Sequence, residues 1–211
     1  MFLSFEGLDG SGKTTQVRLL EDHLRRQGHT VLRVREPGGT EVSEHIRTLL
    51  LDPDLHIVPF AELLLFSAAR AQLVAQKLRP ALDAGTVVLA DRFFDSTLAY
   101  QGAGRGLADP AWLRGFQDQV VGGLVPDRTY YFDAPLDVLA VRRNDREPDR
   151  MEGSDEAFFE RVRTAYLALA DAEPDRIRVL DATQSVETLH TTLLTDLAAL
   201  DQAGTASGHS G

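Results

Sequence analysis

Two hydrophobic rhythms alternate along the chain. Short runs rich in β-branched and aromatic residues occupy 2–6, 30–35, 86–91, 128–132 and 177–181. Longer stretches with apolar residues at helical spacing lie between and after them, at 13–27, 41–51, 60–82, 110–121, 136–143, 155–170 and 186–200. Strands separated by helices of this length predict βαβ units, hence an α/β fold whose mostly parallel sheet is covered on both faces. Pro80 lacks the N–H that an interior helical turn uses, so the third helix is expected to end or kink there. In open sheets of this kind the carboxyl ends of the strands line the binding crevice. Each run ends at or just before a charged residue, so Glu6, Arg35, Asp91, Asp133 and Asp181 are expected along one rim.

Composition narrows this picture. With 211 residues, 43% of them hydrophobic, the chain is long enough for one sizeable core, and 1–200 reads as a single domain. Residues 201–211, "DQAGTASGHSG", carry no apolar anchor and are expected to be disordered. Lys and Arg number 22 against 32 Asp and Glu, a formal charge of -10. That balance argues against a nucleic-acid partner, because sequence-independent binding of DNA or RNA rests on basic surface. Without cysteine there is no disulfide and no thiolate zinc site. No basic segment precedes an apolar stretch at the N-terminus, and no run approaches the roughly eighteen apolar residues of a membrane span. A soluble, cytoplasmic chain without a membrane partner is expected.

The strongest chemical signal is Gly7-Leu8-Asp9-Gly10-Ser11-Gly12-Lys13-Thr14, which fits G-x-x-x-x-G-K-[ST] and lies between a predicted strand and a predicted helix. Gly7, Gly10 and Gly12 let successive N–H groups approach phosphate oxygens, with the helix N-terminus behind them. Lys13 would reach the β- and γ-phosphates, and the Thr14 hydroxyl would help hold Mg²⁺. Asp91, closing "TVVLADR", reads either as the acidic partner of that metal or as a cap on the next helix. Arg92 can fork onto a phosphate or pair with a neighbouring carboxylate. Asp9 sits awkwardly in this loop, since a carboxylate in an anion cradle should repel the ligand.

A hydrolytic switch needs one polyphosphate and a water, whereas this chain carries features enough for a second nucleotide. "REPGGT" places Arg35 and Pro37 in a turn after the second strand; alone, it is equally well a plain tight turn. Phe66 and Arg70 stand four apart and share a helical face, so a base could stack on the ring while the guanidinium reads its edge. Taken singly, the ring belongs to a core and the arginine to a surface. The segment "DRFFDSTLAYQGAGRG" is too rich in glycine at its end for an ordinary helix and reads as a helix start leading into a site loop. Arg142, Arg143, Arg146 and Arg150, interleaved with acids and broken by Pro148, form either a solvated face or a flap that closes over phosphates.

Together "FEGLDGSGKTTQ", "REPGGT", "LLLFSAARAQL", "ADRFFDSTLAYQGAGRG", "PDRTYYFDAP", "DREPDRME" and "LDAT" resemble the thymidylate kinase family, in the family's order and over nearly the whole chain up to about Leu200. The resemblance implies a P-loop NTPase three-layer α/β sandwich, with a five-stranded parallel sheet in the order 2-3-1-4-5. It implies transfer of the γ-phosphate of ATP to dTMP with Mg²⁺, by a homodimer packed through long helices such as 60–82. It assigns ATP to residues 7–14, with Gly7, Leu8, Asp9, Gly10, Ser11, Gly12, Lys13 and Thr14 all in the cradle. Thr183 and Gln184 would lie near the adenine, and Thr14, Asp91 and Asp9 near the metal. Arg35, Pro37 and Arg92 would meet the acceptor's phosphate side, Phe66 would stack on thymine and Arg70 would read its exocyclic oxygen. Thr97 and Gln101 would line the base, Tyr100 would crowd the sugar at C2′, and Asp9 would face the acceptor. Gly10 and Ser11 leave the loop without an arginine, which implies the bacterial arrangement with a basic lid at about 142–153. Arg143, Arg146 and Arg150 are then the catalytic candidates beside Lys13, Asp9 and Arg92, with Arg146 preferred. The lid is slightly shorter than in relatives, and Phe93 stands where tyrosine or histidine is common.

Overall fold

The computed structural model describes residues 1–143 and 155–207. Strands β1 (Phe2–Glu6), β2 (Val31–Arg35), β3 (Val87–Asp91), β4 (Arg128–Asp133) and β5 (Ile177–Asp181) form a parallel sheet in the order β2-β3-β1-β4-β5. Alternation along the strands sorts side chains to opposite faces. Leu3, Phe5, Val87 and Leu89 join one buried cluster, and Phe2, Val34, Val88 and Ala90 join the other. Covering both faces are α1 (Lys13–Arg26), α2 (Glu41–Leu51), α3 (Pro59–Leu73), α4 (Arg79–Asp83), α5 (Phe94–Thr97), α6 (Pro110–Val121), α7 (Leu136–Arg143), α8 (Glu156–Ala172) and α9 (Val186–Ser207).

Local chemistry fixes the helix ends. The Thr40 hydroxyl accepts from Ser43 N, Asp109 from Trp112 N and Asp155 from Phe158 N, each satisfying a first-turn donor. Pro110 occupies the opening turn of α6, and Gly122 closes that helix with φ 58°.

The third helix is interrupted just ahead of Pro80, where an end or kink is expected: α3 gives way to a π-helical stretch at Val74–Leu78, and α4 then starts with Pro80 in its first turn, where a missing N–H costs no intrahelical bond. Two expectations need correction. The segment after Asp91 is not a loop: α5 continues as a second π-helical stretch, Leu98–Gly104, in which Arg105 N donates to Tyr100 O at 2.9 Å. Finally, α9 runs on to Ser207, past the boundary drawn at 200. Residues 201–207 hold no proline, and extending a helix already packed costs little per residue.

The rim forms as expected, with Arg35 in register with Asp91 and Asp133 in register with Asp181. Glu6 differs, since its side chain is fully buried beneath the rim. Strand β1 lies between β3 and β4, where the sheet order reverses, and the loop leading to α1 opens into that crevice.

Candidate active site

The loop between β1 and α1 is shaped by glycines with positive φ: Gly7 at 143°, Gly10 at 84° and Gly12 at 88°. At Gly7 even a Cβ is excluded, because it would sit 2.7 Å from Phe132 O. Helix α1 starts at Lys13 with no side-chain cap, leaving its first N–H groups for an anion. Lys13 is buried, and its Nζ donates to Gly7 O at 2.8 Å and Leu8 O at 3.0 Å, so one of its three hydrogens remains for a ligand. Burial and then the Arg92 charge pull its pKa down, against Asp9, Asp91 and Glu6. The Ser11 hydroxyl is buried with no hydrogen-bond partner among the described residues.

Across the crevice, Arg92 has φ 74°, a left-handed conformation that costs a side-chain-bearing residue roughly 1–2 kcal/mol. Its guanidinium donates to Asp9 Oδ1 at 3.1 Å and to Ser96 Oγ at 3.4 Å, and lies 5.1 Å from the centre of the Tyr100 ring. Asp9 therefore pairs with an arginine rather than standing as a bare charge in an anion site. Glu6 accepts from Phe93 N, Ser96 Oγ and Tyr166 OH, while burial first, and Asp95 second, raise its pKa. Burial also raises the Tyr100 phenol above its ordinary range.

The floor of the cleft is organised around Arg70, which is buried. Its Nε donates to Glu36 at 2.6 Å, Nη1 to Thr97 at 2.8 Å and Gln117 at 2.6 Å, and Nη2 to Phe93 O at 3.1 Å. One Nη2 hydrogen is left for a ligand, and Thr97, having accepted from Arg70, keeps its own hydroxyl hydrogen to donate. Burial pushes the Glu36 carboxyl up to about 7, against the pull of Arg70. Gln101 gives its Nε2 to Glu62 at 2.8 Å, which leaves its carbonyl oxygen as an acceptor.

One cleft gathers Asp9, Lys13, Thr14, Arg35, Pro37, Phe66, Arg70, Asp91, Arg92, Thr97, Tyr100 and Gln101. It also takes in Glu36, Arg47, Leu51 and Ser96, which the sequence reading passed over. Glu36 and Ser96 stand inside the quoted motifs, and Arg47 and Leu51 share one face of α2 at the spacing of one turn. Arg35 reaches the cleft from the surface and donates to Glu44 at 3.1 Å. Thr183 and Gln184 are not among the cleft's lining; both hydrogen-bond Asp181, in the turn that follows β5. That turn neighbours α1, since Gln16 donates to Val186 O at 2.8 Å, and Arg142 donates to Ala182 O at 2.9 Å. Arg143 ends α7, whereas Arg146 and Arg150 lie outside the described residues.

Thr14 Oγ1 donates to Asp91 Oδ2 at 2.9 Å, placing two hard oxygen donors side by side. Among the described residues no three His, Cys, Asp or Glu cluster tightly enough to hold an ion themselves. The donor set therefore fits Mg²⁺ as part of a shell that phosphate oxygens and water complete.

The sheet order and the glycine-shaped loop that opens α1, with an arginine-lined cleft beside it, define a P-loop protein. A family model for thymidylate kinase matches residues 5–193, and the chain belongs to the thymidylate kinase family. Thymidylate kinase of Deinococcus radiodurans is 50% identical over 192 residues, covering 90% of this chain and 92% of that protein. The Caldanaerobacter subterraneus enzyme is 45% identical over 189 residues, covering 90% of each. The crystal structure of thymidylate kinase from Ehrlichia chaffeensis matches with a TM-score of 0.77 at 32% identity, covering 94% of this chain and 98% of that one.

Proposed function

We propose that this chain phosphorylates dTMP to dTDP with ATP as donor, as a step of dTTP synthesis, by direct in-line transfer. The observation that carries it is the single cleft in which the phosphate cradle of Lys13 and Thr14 meets Phe66, Arg70 and Arg92. ATP lies along residues 7–14, with its adenine toward Thr183 and Gln184. Thymine stacks on Phe66 while Arg70 and Thr97 offer donors to its carbonyl edge, and Gln101 offers an acceptor to its N–H. Tyr100 fills the space that a ribose 2′-hydroxyl would need.

An oxygen of the dTMP phosphate attacks the γ-phosphorus, and the bond to the β,γ-bridging oxygen breaks to release ADP. That nucleophile is already ionised near neutrality, since a phosphate monoester's second pKa is about 6, so no general base is needed. Asp9 serves instead to orient Arg92, and Arg35 and Arg92 grip the acceptor's phosphate. Positioning and charge neutralisation then account for the rate. Lys13 neutralises the migrating group together with a lid arginine, for which Arg146 is our choice over Arg143 and Arg150. Thr14 and Asp91, with Asp9 on the acceptor side, would hold Mg²⁺; what the ion supplies when bound is charge neutralisation on the phosphate oxygens. Exposed Phe60, Leu64 and Trp112 on α3 and α6 support a homodimer packed through these helices. We place the enzyme in the cytoplasm; among the described residues no helix is long and apolar enough to cross a membrane.

Titrating dTMP into protein saturated with a non-hydrolysable ATP analogue tests the two-nucleotide cleft. One dTMP should bind per chain without displacing the analogue. Mutual competition, or no dTMP binding at all, would count against the assignment.

A further inference from the structure

Glu6 has no direct route to a substrate. It is fully buried and is not among the residues lining the cleft. Burying a carboxylate is costly, so its partners say what it is for. Oε1 accepts from the Phe93 backbone N–H at 2.7 Å and from the Ser4 hydroxyl at 3.2 Å. Oε2 accepts from the Ser96 hydroxyl at 2.6 Å and from Tyr166 at 2.8 Å. Phe93 directly follows Arg92, the one residue other than glycine with positive φ among the described residues. Ser96 Oγ in turn lies 3.4 Å from Arg92 Nη1, and Arg92 N donates to Phe5 O, the residue before Glu6, at 2.9 Å. The end of β1 thus grips the backbone on both sides of Arg92 and steadies the hydroxyl against its guanidinium.

We infer that Glu6 is a positioning residue for phosphoryl transfer: it holds the left-handed turn that aims Arg92 at the acceptor's phosphate. The inference rests on the dTMP reading of the cleft. A carboxylate suits the task because three hydroxyls and one backbone N–H all need acceptors there. A glutamine keeps the size and can still satisfy the backbone N–H with its oxygen. Its amide hydrogens, however, face Ser96 and Tyr166, whose hydroxyls must then reverse. Glu6→Gln should therefore fold while loosening Arg92.

The test is a double-mutant cycle of Glu6→Gln with Arg92→Ala, read as kcat/KM for dTMP and KM for ATP, with thermal melting as a check on folding. Glu6→Gln alone should lower kcat/KM for dTMP by about tenfold or more and leave KM for ATP within about twofold, a split that general loss of structure would not produce. In the Arg92→Ala background the same change should cost less than about twofold. Equal losses in both backgrounds, or a matching loss in ATP use, would overturn the inference. Should Glu6→Gln be recovered only unfolded, Ser96→Ala removes one of the two anchors and is put through the same cycle, with the same pattern expected. The wild type assayed alongside separates the two levels. If it makes no dTDP, the dTMP reading falls and the inference with it; if it does and the cycle is additive, the inference alone falls.

Discussion

Arg70 is a residue whose spacing was legible and whose circumstances were not. Its position four after Phe66 put both on one helical face, but its partners come from β2's trailing turn, α5, α6 and the Phe93 carbonyl, segments far apart in sequence. Glu36 was passed over for the same reason: within "REPGGT" nothing near it in sequence explains a buried acid. Its raised pKa has a consequence for stability. The folded chain keeps this proton until about pH 7, whereas the unfolded chain releases it near the ordinary 4.5. The Glu36 contribution is therefore fully present below the lower value and lost as pH rises through the upper one. Relative to wild type, Glu36→Gln should gain stability across that window and level off above it. Denaturant unfolding below, within and above the window checks this, and a difference independent of pH would contradict it. Asp9→Asn should impair use of dTMP more than binding of ATP, because its charge steadies Arg92; steady-state kinetics with each nucleotide varied in turn decides. Lys13→Ala should cut single-turnover transfer by two or more tenfold steps, each about 1.4 kcal/mol, with dTMP affinity far less affected. Normal transfer in that variant would remove Lys13 from the chemistry.

At the level of elements, periodicity located the strands to within about a residue: the inner strands β1, β3 and β4 are buried almost throughout, whereas the edge strands β2 and β5 interleave apolar with exposed charged positions and are marked by their β-branched residues and leucines. Helices with capping residues at their entrances were equally clear. What periodicity missed is the change of helical pitch. A π-helical stretch uses the same residue types as an α-helix and differs only in which carbonyl each N–H meets. Leu98–Gly104 is the stretch that carries Tyr100 and Gln101 into the cleft, so the difference falls on an element that lines it. Its close packing gives a test. A Cβ at Gly104 would sit 2.6 Å from Phe158 Cε2 and 2.9 Å from Val162 Cγ2, atoms of α8. Gly104→Ala should cost about 1–3 kcal/mol by overpacking, lowering Tm by roughly 2–4 °C per kcal/mol. An unchanged melting temperature would mean that α8 yields freely at this contact.

For the whole molecule, charge and composition set bounds and the motif order carried the rest. The phosphate cradle was legible because it is local: eight consecutive residues with glycines where φ is positive. The rest of the cleft was legible only in pieces, since it is assembled from the ends of β2 and β3 and from five helical segments, α1, α2, α3, α5 and Leu98–Gly104, whose meeting is a property of the sheet order. The exposed apolar residues of α3 and α6 belong to this scale too. Light scattering should give twice the mass of one chain, and a single-chain mass would remove the homodimer. The central claim is that this cleft hands a phosphoryl group from one nucleotide to another. Its most direct test is incubation of the purified protein with Mg-ATP and, separately, dTMP and a panel of other nucleoside monophosphates, with products resolved by chromatography. The account predicts dTDP and ADP in equal amounts with dTMP, far faster than diphosphate formation from ribonucleotides. Slow ATP hydrolysis that no monophosphate alters, with no dTDP formed, would contradict it.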